Sequence, residues 1–559
     1  MITARHQDQL TNSAMPSSPV DAYIQWLLDE FDGNRWSADL TRPRLLYKVY
    51  RGVSRMPLDH RFPLRLGSSR EALLASNAAQ TPATLEQALA WTLYYSHGLT
   101  RVLRPAPGSI QAGHIPDGAD ASDQTVSVAI AGPEPSYQLT IGRPVPSGGN
   151  LHGTELYLAV GSTMNLPAGI YHYDCVHHAL DLLRPGDYLA ELAACLPDGQ
   201  DRLSAPIVLL PAAFFQKNHQ KYTNLSYRLQ MLDMGVVVEQ LLFVAHCFGL
   251  DGSACFQFLD RPIHHLIGLD IREENIYAAL PMRTSDHPLP AGPVCRSAAA
   301  INDLPPVTAT HIQPFIPEPR STLLNTLYAT VLLDSLPEQR AIPQDDEEHD
   351  NFAGLLPLPE ANFTMDTDLA EVLLRRRHTS FNAIDTSPLR AEDLATVLAY
   401  AARGDDVTRR ACGGQIYCVV ARVQGIPAGT YRYVPAHHAL AMVNPDAPVP
   451  LLMRLAMAPN IQMHLAPVNI FLAGDYRKAG DHFGERGFRI MGIELGRLIQ
   501  RISLAAAALD LASHTHFSYR IGLTARQLLR LPTPSCLPLV SLMLGYPRRA
   551  QGGLFEAAW

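Results

Sequence analysis

The sequence has no CxxC pair, although it carries eight cysteines in 559 residues. They stand at 175, 195, 247, 255, 295, 412, 418 and 536, too scattered for a zinc knuckle or a thiol redox motif. Excess positive charge is also missing. The formal net charge is −8, which argues against broad binding to nucleic acid or anionic membranes, since both require a basic surface. The most apolar run, GVVVEQLLFVAHCFGL (235–250), has 16 residues and includes Glu239, Gln240 and His246, so it is too short and too polar to span a bilayer. The opening, MITARHQDQLTNSAMPSSP, has no secretory apolar region. These absences lead us to expect a cytoplasmic protein with reduced thiols and no nucleic-acid or membrane partner.

What is present is a globular composition, 47% apolar and 18% charged, in a chain too long for one core. It also repeats itself. LPAGIYHYDCVHHALDLL (166–183) returns as IPAGTYRYVPAHHALAMV (426–443), with nine of eighteen positions identical and Pro167 standing 260 residues before Pro427. A period that long means duplicated domains rather than a solenoid. The expected organisation is an N-terminal extension (1–84) available for partner or substrate docking, a first unit (85–285), a proline-rich and acidic linker (286–359) and a second unit (360–559). The acidic cluster QDDEEHD (344–350) reads as a solvated loop.

Each unit has the same order. A strand rich in β-branched and aromatic residues (TELYLAV, 154–160; QIYCVVARV, 415–423) precedes the Pro-Ala-Gly turn and a Tyr-x-Tyr strand. A long helix follows, SYRLQMLDMGVVVEQLLFVAHCFGL (226–250) or GFRIMGIELGRLIQRISLAAAALDL (487–511), apolar on most faces and therefore buried. A buried helix in a duplicated unit predicts that the units pack on each other, as a homodimer fused into one chain would.

Three segments carry candidate chemistry. In GRPVPSGGN (142–150), small residues after Pro146 let the backbone approach a ligand, and Ser147 adds a hydroxyl; a plain surface turn is the alternative. In LLRRRHTS (373–380), Arg375, Arg376 and Arg377 are a solvated basic patch or a phosphate site, because guanidinium matches phosphate in fork geometry. In QKYTNLSYR (220–228), Lys221 beside Tyr222 offers a proton donor–acceptor pair just before a buried helix. His514 and His516 lack a nearby third metal ligand, and the pairs His177-His178 and His437-His438 are read as features of the hairpins. GDYRKAGDHFGERG (474–487) lacks the GK[ST] ending of a P-loop and is read as a mobile loop.

In order, an Arg-rich opening, a Pro-Ser-Gly turn before a strand, a PAGxYxY hairpin, Lys-Tyr before Tyr-Arg and a long apolar helix resemble the nitroreductase-like flavoenzymes. Among these the sequence is most similar to the SagB-type thiazole/oxazole dehydrogenases, over roughly 85–285 and 360–550. The resemblance implies an α+β fold, tandem units each with a central mixed or antiparallel sheet flanked by helices, packed as an intramolecular pseudo-dimer. It implies FMN at the interface and oxidation of azolines to azoles on a peptide or carrier protein, alongside a cyclodehydratase, with oxygen as electron acceptor. Carried onto this sequence, Lys221 is the base and Tyr222 its relay. Arg375, Arg376 and Arg377, with Arg548 or Arg549 of the closing GYPRR, hold the phosphate and ribityl. Arg143, Pro146, Ser147, Gly148 and Asn150 line the flavin from the other unit. The first unit lacks the Arg-rich opening (LLASN, 73–77). The second has ACGGQ (411–415) in place of the turn and no Lys-Tyr. One complete set of parts exists, split between the halves, and predicts one FMN per chain. HTS at 378–380 departs from the family's Ser-x-Arg. A NAD(P)H-dependent nitro or quinone reductase and a non-catalytic scaffold remain alternatives.

Overall fold

A computed structural model describes residues 18–33, 35, 47–74, 82–103, 140–162, 164–197, 205–284, 297–312, 319–338, 354–364, 366–375, 384–404, 407–457, 462–548 and 556–557. Two antiparallel sheets organise them. In the first the strand order is 54–57, 179–185, 169–174, 154–160, 207–214, 280–283 and 251–252, with 274–276 also on 207–214. In the second it is 355–357, 439–444, 429–434, 415–420, 468–475, 536–545 and 512–516. The orders correspond strand for strand, so the fold is the expected pair of α+β units. The strands Thr154–Val160 and Ile207–Phe214 are buried on both faces, which explains why they read as near-continuous apolar runs rather than alternating ones.

The repeated hairpin residues have a structural task. The Tyr171 hydroxyl donates to the Pro167 carbonyl at 2.5 Å and that of Tyr431 to the Pro427 carbonyl at 2.8 Å. Tyr173 and Tyr433 bond Nδ1 of His178 and His438 at 2.8 and 2.9 Å. Both histidines sit at positive φ, 45° and 44°. Each conserved side chain therefore closes its own turn, and the histidine pairs belong to the hairpins. His516 is likewise engaged within the sheet, its Nε2 at 3.0 Å from the Ser541 hydroxyl, and no metal-holding cluster occurs among the described residues.

Between the sheets run two 22-residue helices, Ser226–Cys247 and Gly487–Ala508, which pack on each other. Gly235 of one meets Gly496 of the other. A Cβ on Gly235 would stand 2.7 Å from Gly496 Cα, and one on Gly496 would stand 2.8 Å from Gly235 Cα. Only glycine permits that approach. The stretch Phe215–Cys247 has the length and apolarity to cross a membrane, but 72% of its most apolar window is buried inside the protein, as befits a core helix.

The correspondence reaches back before residue 85. Helix Pro19–Asp32, capped by Ser18, corresponds to helix Thr322–Thr330, capped by Ser321, and the two pack together. Helix Ser69–Leu74 corresponds to Leu369–Arg375, and Ser68 bridges Asp368. These first helices are exchanged between the halves. The Asp32 carboxylate accepts from the amide of Gly522 at 3.0 Å, and Asp334 pairs with Arg261 at 2.9 Å. Residues 310–311 pair with 50–51 as a short separate ribbon. The proline-rich stretch 286–320 and its surroundings thus include ordered elements.

Candidate functional site

The main difference between the units lies between their third helix and the following strand. In the first unit this connection runs from His97 to Thr154; in the second it runs only from Ala401 to Gln415. The extra chain in the first unit carries the Pro146–Asn150 turn. Gly149 (φ 64°) and Asn150 (φ 58°) are both left-handed, the conformation glycine and asparagine tolerate best. The Ser147 hydroxyl donates to the Asp233 carboxylate at 2.6 Å, and the Gly148 amide donates to the same carboxylate at 3.0 Å. The His152 amide donates to the Ser147 oxygen at 2.9 Å. Ser147 therefore ties the turn to the long helix. Burial pushes the Asp233 carboxyl up to about 6, against the lowering effect of the two bonds from Ser147 and Gly148.

The Lys221-Tyr222 pair lies against this turn. A Cβ on Gly149 would stand 2.7 Å from Lys221 Nζ and would also strike the Tyr222 hydroxyl. Lys221 Nζ lies 5.1 Å from the Tyr222 ring centroid. The pair ends helix Phe215–Tyr222, which Thr223 closes at φ 47°, ψ −127°. That backbone conformation is costly for a β-branched residue. The counterpart in the second unit is Gly484 at φ 61°, ψ −149°, where glycine adopts it without strain. His482 and Phe483 stand where the first unit has Lys221 and Tyr222.

The second unit completes the wall. Phe517 packs edge-on against Tyr222, centroids 5.8 Å apart. Behind it Arg228 donates to the Leu539 carbonyl at 2.8 Å, with its guanidinium 5.6 Å from the Phe517 centroid. Ile384 bridges Pro547, and the Asp385 amide donates to the Tyr546 carbonyl at 2.8 Å. This pairing brings the chain just after the Arg-rich segment beside exposed Arg548. Arg375 is described in its backbone only; Arg376, Arg377 and Arg549 lie outside the described residues.

Arg143 has a different setting from the turn. It is 2% exposed and its guanidinium contacts His97 Nε2. It belongs to a buried network in which Lys217 meets Glu155 at 2.5 Å and His172 meets Glu155 at 3.1 Å. Burial, reinforced by the Arg143 charge, holds His97 well below its ordinary range, and so neutral.

Sequence reasoning missed Asp233, Thr223 and Phe517. Asp233 left a signal, a carboxylate within a mostly apolar helix. Phe517 left none, because it reaches Tyr222 only through the packing of the two units.

The nitroreductase family model matches residues 123–282. A protein named as a nitroreductase, from Methanocaldococcus jannaschii, is 30% identical over 154 residues, covering 26% of this chain and 76% of that protein. The chain belongs to the nitroreductase family. Two further relatives of this nitroreductase are similar over the same scale. The trifolitoxin-processing protein TfxB of Rhizobium leguminosarum bv. trifolii is 28% identical over 134 residues, 23% of this chain and 36% of that one. The microcin B17-processing protein McbC of Escherichia coli is 28% identical over 149 residues, 26% and 54%. The match thus spans about a third to a half of these two relatives. The crystal structure of a nitroreductase from Anabaena variabilis shares the fold over 95% of this chain and all of its own, with a TM-score of 0.68 at 19% identity. Nitroreductases are oxidoreductases that generally bind FMN. The residues fit such a group in kind: Gly149 lets Lys221 and Tyr222 lie directly on the turn, Gly148 packs on Leu229, and Phe517 of the second unit stands against Tyr222.

Proposed function

We propose that this nitroreductase is an FMN-dependent dehydrogenase that oxidises azolines to azoles on a peptide or carrier-bound substrate, with one composite site per chain. The observation that carries the proposal is the contact of Lys221 and Tyr222 with Gly149, closed by Phe517 of the other unit. The resemblance to proteins that process microcin B17 and trifolitoxin supports a peptide substrate and a cyclodehydratase as partner. FMN supplies the two-electron acceptor, and oxygen is the proposed terminal oxidant.

The chain's own residues do the rest. Lys221 takes the proton from the ring carbon next to the azoline C=N, and Tyr222 orients or relays it. Pro146, Gly148 and Asn150 would line the FMN, Gly149 lets Lys221 and Tyr222 lie on the turn, and Ser147 anchors the turn to Asp233. Arg375, Arg376 and Arg377 with Arg548 or Arg549 would hold the phosphate and ribityl, while Arg143 is buried against His97. The protein is proposed to act in the cytoplasm; its seven described cysteines are buried.

The deciding test is flavin stoichiometry followed by turnover of an azoline peptide. About one FMN per chain and azole formation lost in Lys221→Ala support the reading. Near two FMN per chain would make the second pocket functional, and none after incubation with FMN would turn the account toward a scaffold. The nitroreductase relative favours a second reading, NAD(P)H-dependent nitro or quinone reduction; rapid bleaching of the flavin by NADPH would select it.

A further inference from the structure

The residue equivalent to Arg228 in the second unit is Arg489, 261 positions on. The two guanidinium groups have different surroundings. Arg228 donates to the Leu539 carbonyl. Arg489 is 0% exposed, and its Nε, Nη1 and Nη2 all lack a hydrogen-bond partner. Its guanidinium lies over the Tyr277 ring, 4.6 Å from the centroid. The hydroxyls of Tyr277 and Tyr227 are also fully buried and unpartnered, and the Arg489 charge acts on both. The neighbouring cation, Arg486, already has its counter-charge in Asp260 and further donates to the carbonyls of Val331 and Phe256. His264, held down to about 4 chiefly by burial, is neutral. Glu485, which also acts on Tyr227, is exposed at the surface, so among the described residues one buried positive charge, that of Arg489, has no hydrogen-bonded counter-charge.

Arginine does not shed its proton in a protein, and an enclosed, uncompensated charge is strongly unfavourable. The aromatic face beneath it offsets only part of that cost. The unmatched groups are a five-donor guanidinium and two hydroxyls, a lining that suits an anion better than a cation. Full enclosure restricts the anion to a small one. We propose that Arg489, with the hydroxyls of Tyr227 and Tyr277, holds a monovalent inorganic anion of chloride's size between the two halves. The position is the pseudo-symmetric equivalent of the wall behind Phe517. The ion would neutralise the half that does not carry the Lys-Tyr pair and hold it against the other.

The full-length protein, exchanged into sodium gluconate, is titrated with sodium chloride at constant ionic strength while Tm is followed, and crystals are soaked in bromide for anomalous diffraction. A saturable rise in Tm of about 2 °C or more is expected with chloride or bromide. Arg489→Met should abolish the rise, and a bromide peak should lie within hydrogen-bond reach of Arg489. Equal Tm in gluconate and chloride, or a water with no anomalous signal beside Arg489, would overturn the proposal. If R489M does not fold, the diffraction result decides alone.

Discussion

Gly235 and Gly496, equivalent residues 261 positions apart, touch each other where the two long helices cross. The pseudo-two-fold relation of the halves passes through this contact. Any β-carbon on Gly235 also enters the space of the Ile493 carbonyl. Backbone cannot yield there as a side-chain tip would, so Gly235→Ala and Gly496→Ala should each destabilise by about 1–3 kcal/mol or more. Denaturant unfolding checks this, and because both changes load one contact, the double variant should lose less than the sum.

The Lys221 and Tyr222 assignments separate binding from chemistry. Lys221→Ala should retain flavin and lower azoline oxidation by roughly 10²–10⁴-fold, the range for loss of a positioned general base. Tyr222→Phe keeps the ring against Phe517 and should lose less. Wild-type turnover in flavin-loaded K221A would remove the base role.

Asp233 predicts a pH dependence of stability. Burial raises its carboxyl from the ordinary 3.8 to about 6 in the folded protein. The folded state therefore binds the proton more tightly than the unfolded state. Its contribution is most favourable below about pH 4 and falls as pH rises through 6, by on the order of 2 kcal/mol. In Asp233→Asn that fall should vanish, so the difference between wild-type and variant stability, measured by denaturant midpoints from pH 4 to 7, should change across this window. Parallel profiles would show that Asp233 does not titrate there.

Thr223 and Gly484 hold the same turn in the two halves, one with a β-branched residue and one without. Relief of strain on the order of 1–3 kcal/mol should outweigh the entropy glycine adds to the unfolded chain, so Thr223→Gly is expected to stabilise. The reverse change, Gly484→Thr, should destabilise. If T223G also lowers turnover while flavin stays bound, the strained turn serves to aim Lys221 and Tyr222.

Much was legible because some residues act locally. The PAGxYxY hairpins read twice in the sequence because Tyr171 and Tyr431 bond carbonyls four residues before them, so the same side chains are needed wherever that turn is made. The long helices were legible from apolar residues on nearly every face. The earlier counterparts were not: Pro19–Asp32 and Thr322–Thr330 share a serine cap and a place in the fold but little sequence, since an apolar face can be met by many side-chain sets.

The sequence by itself determined that the fold occurs twice, that the turn and the Lys-Tyr pair belong to one copy, and that the Arg-rich segment belongs to the other. Tertiary structure alone decided that Phe517 covers Tyr222, that Asp233 anchors Ser147, that Arg143 is buried against His97, and that Arg489 makes no hydrogen bond among the described residues. Those relationships join residues far apart in the chain, and the ones that cross between the halves depend on the two glycines that let the long helices come into contact.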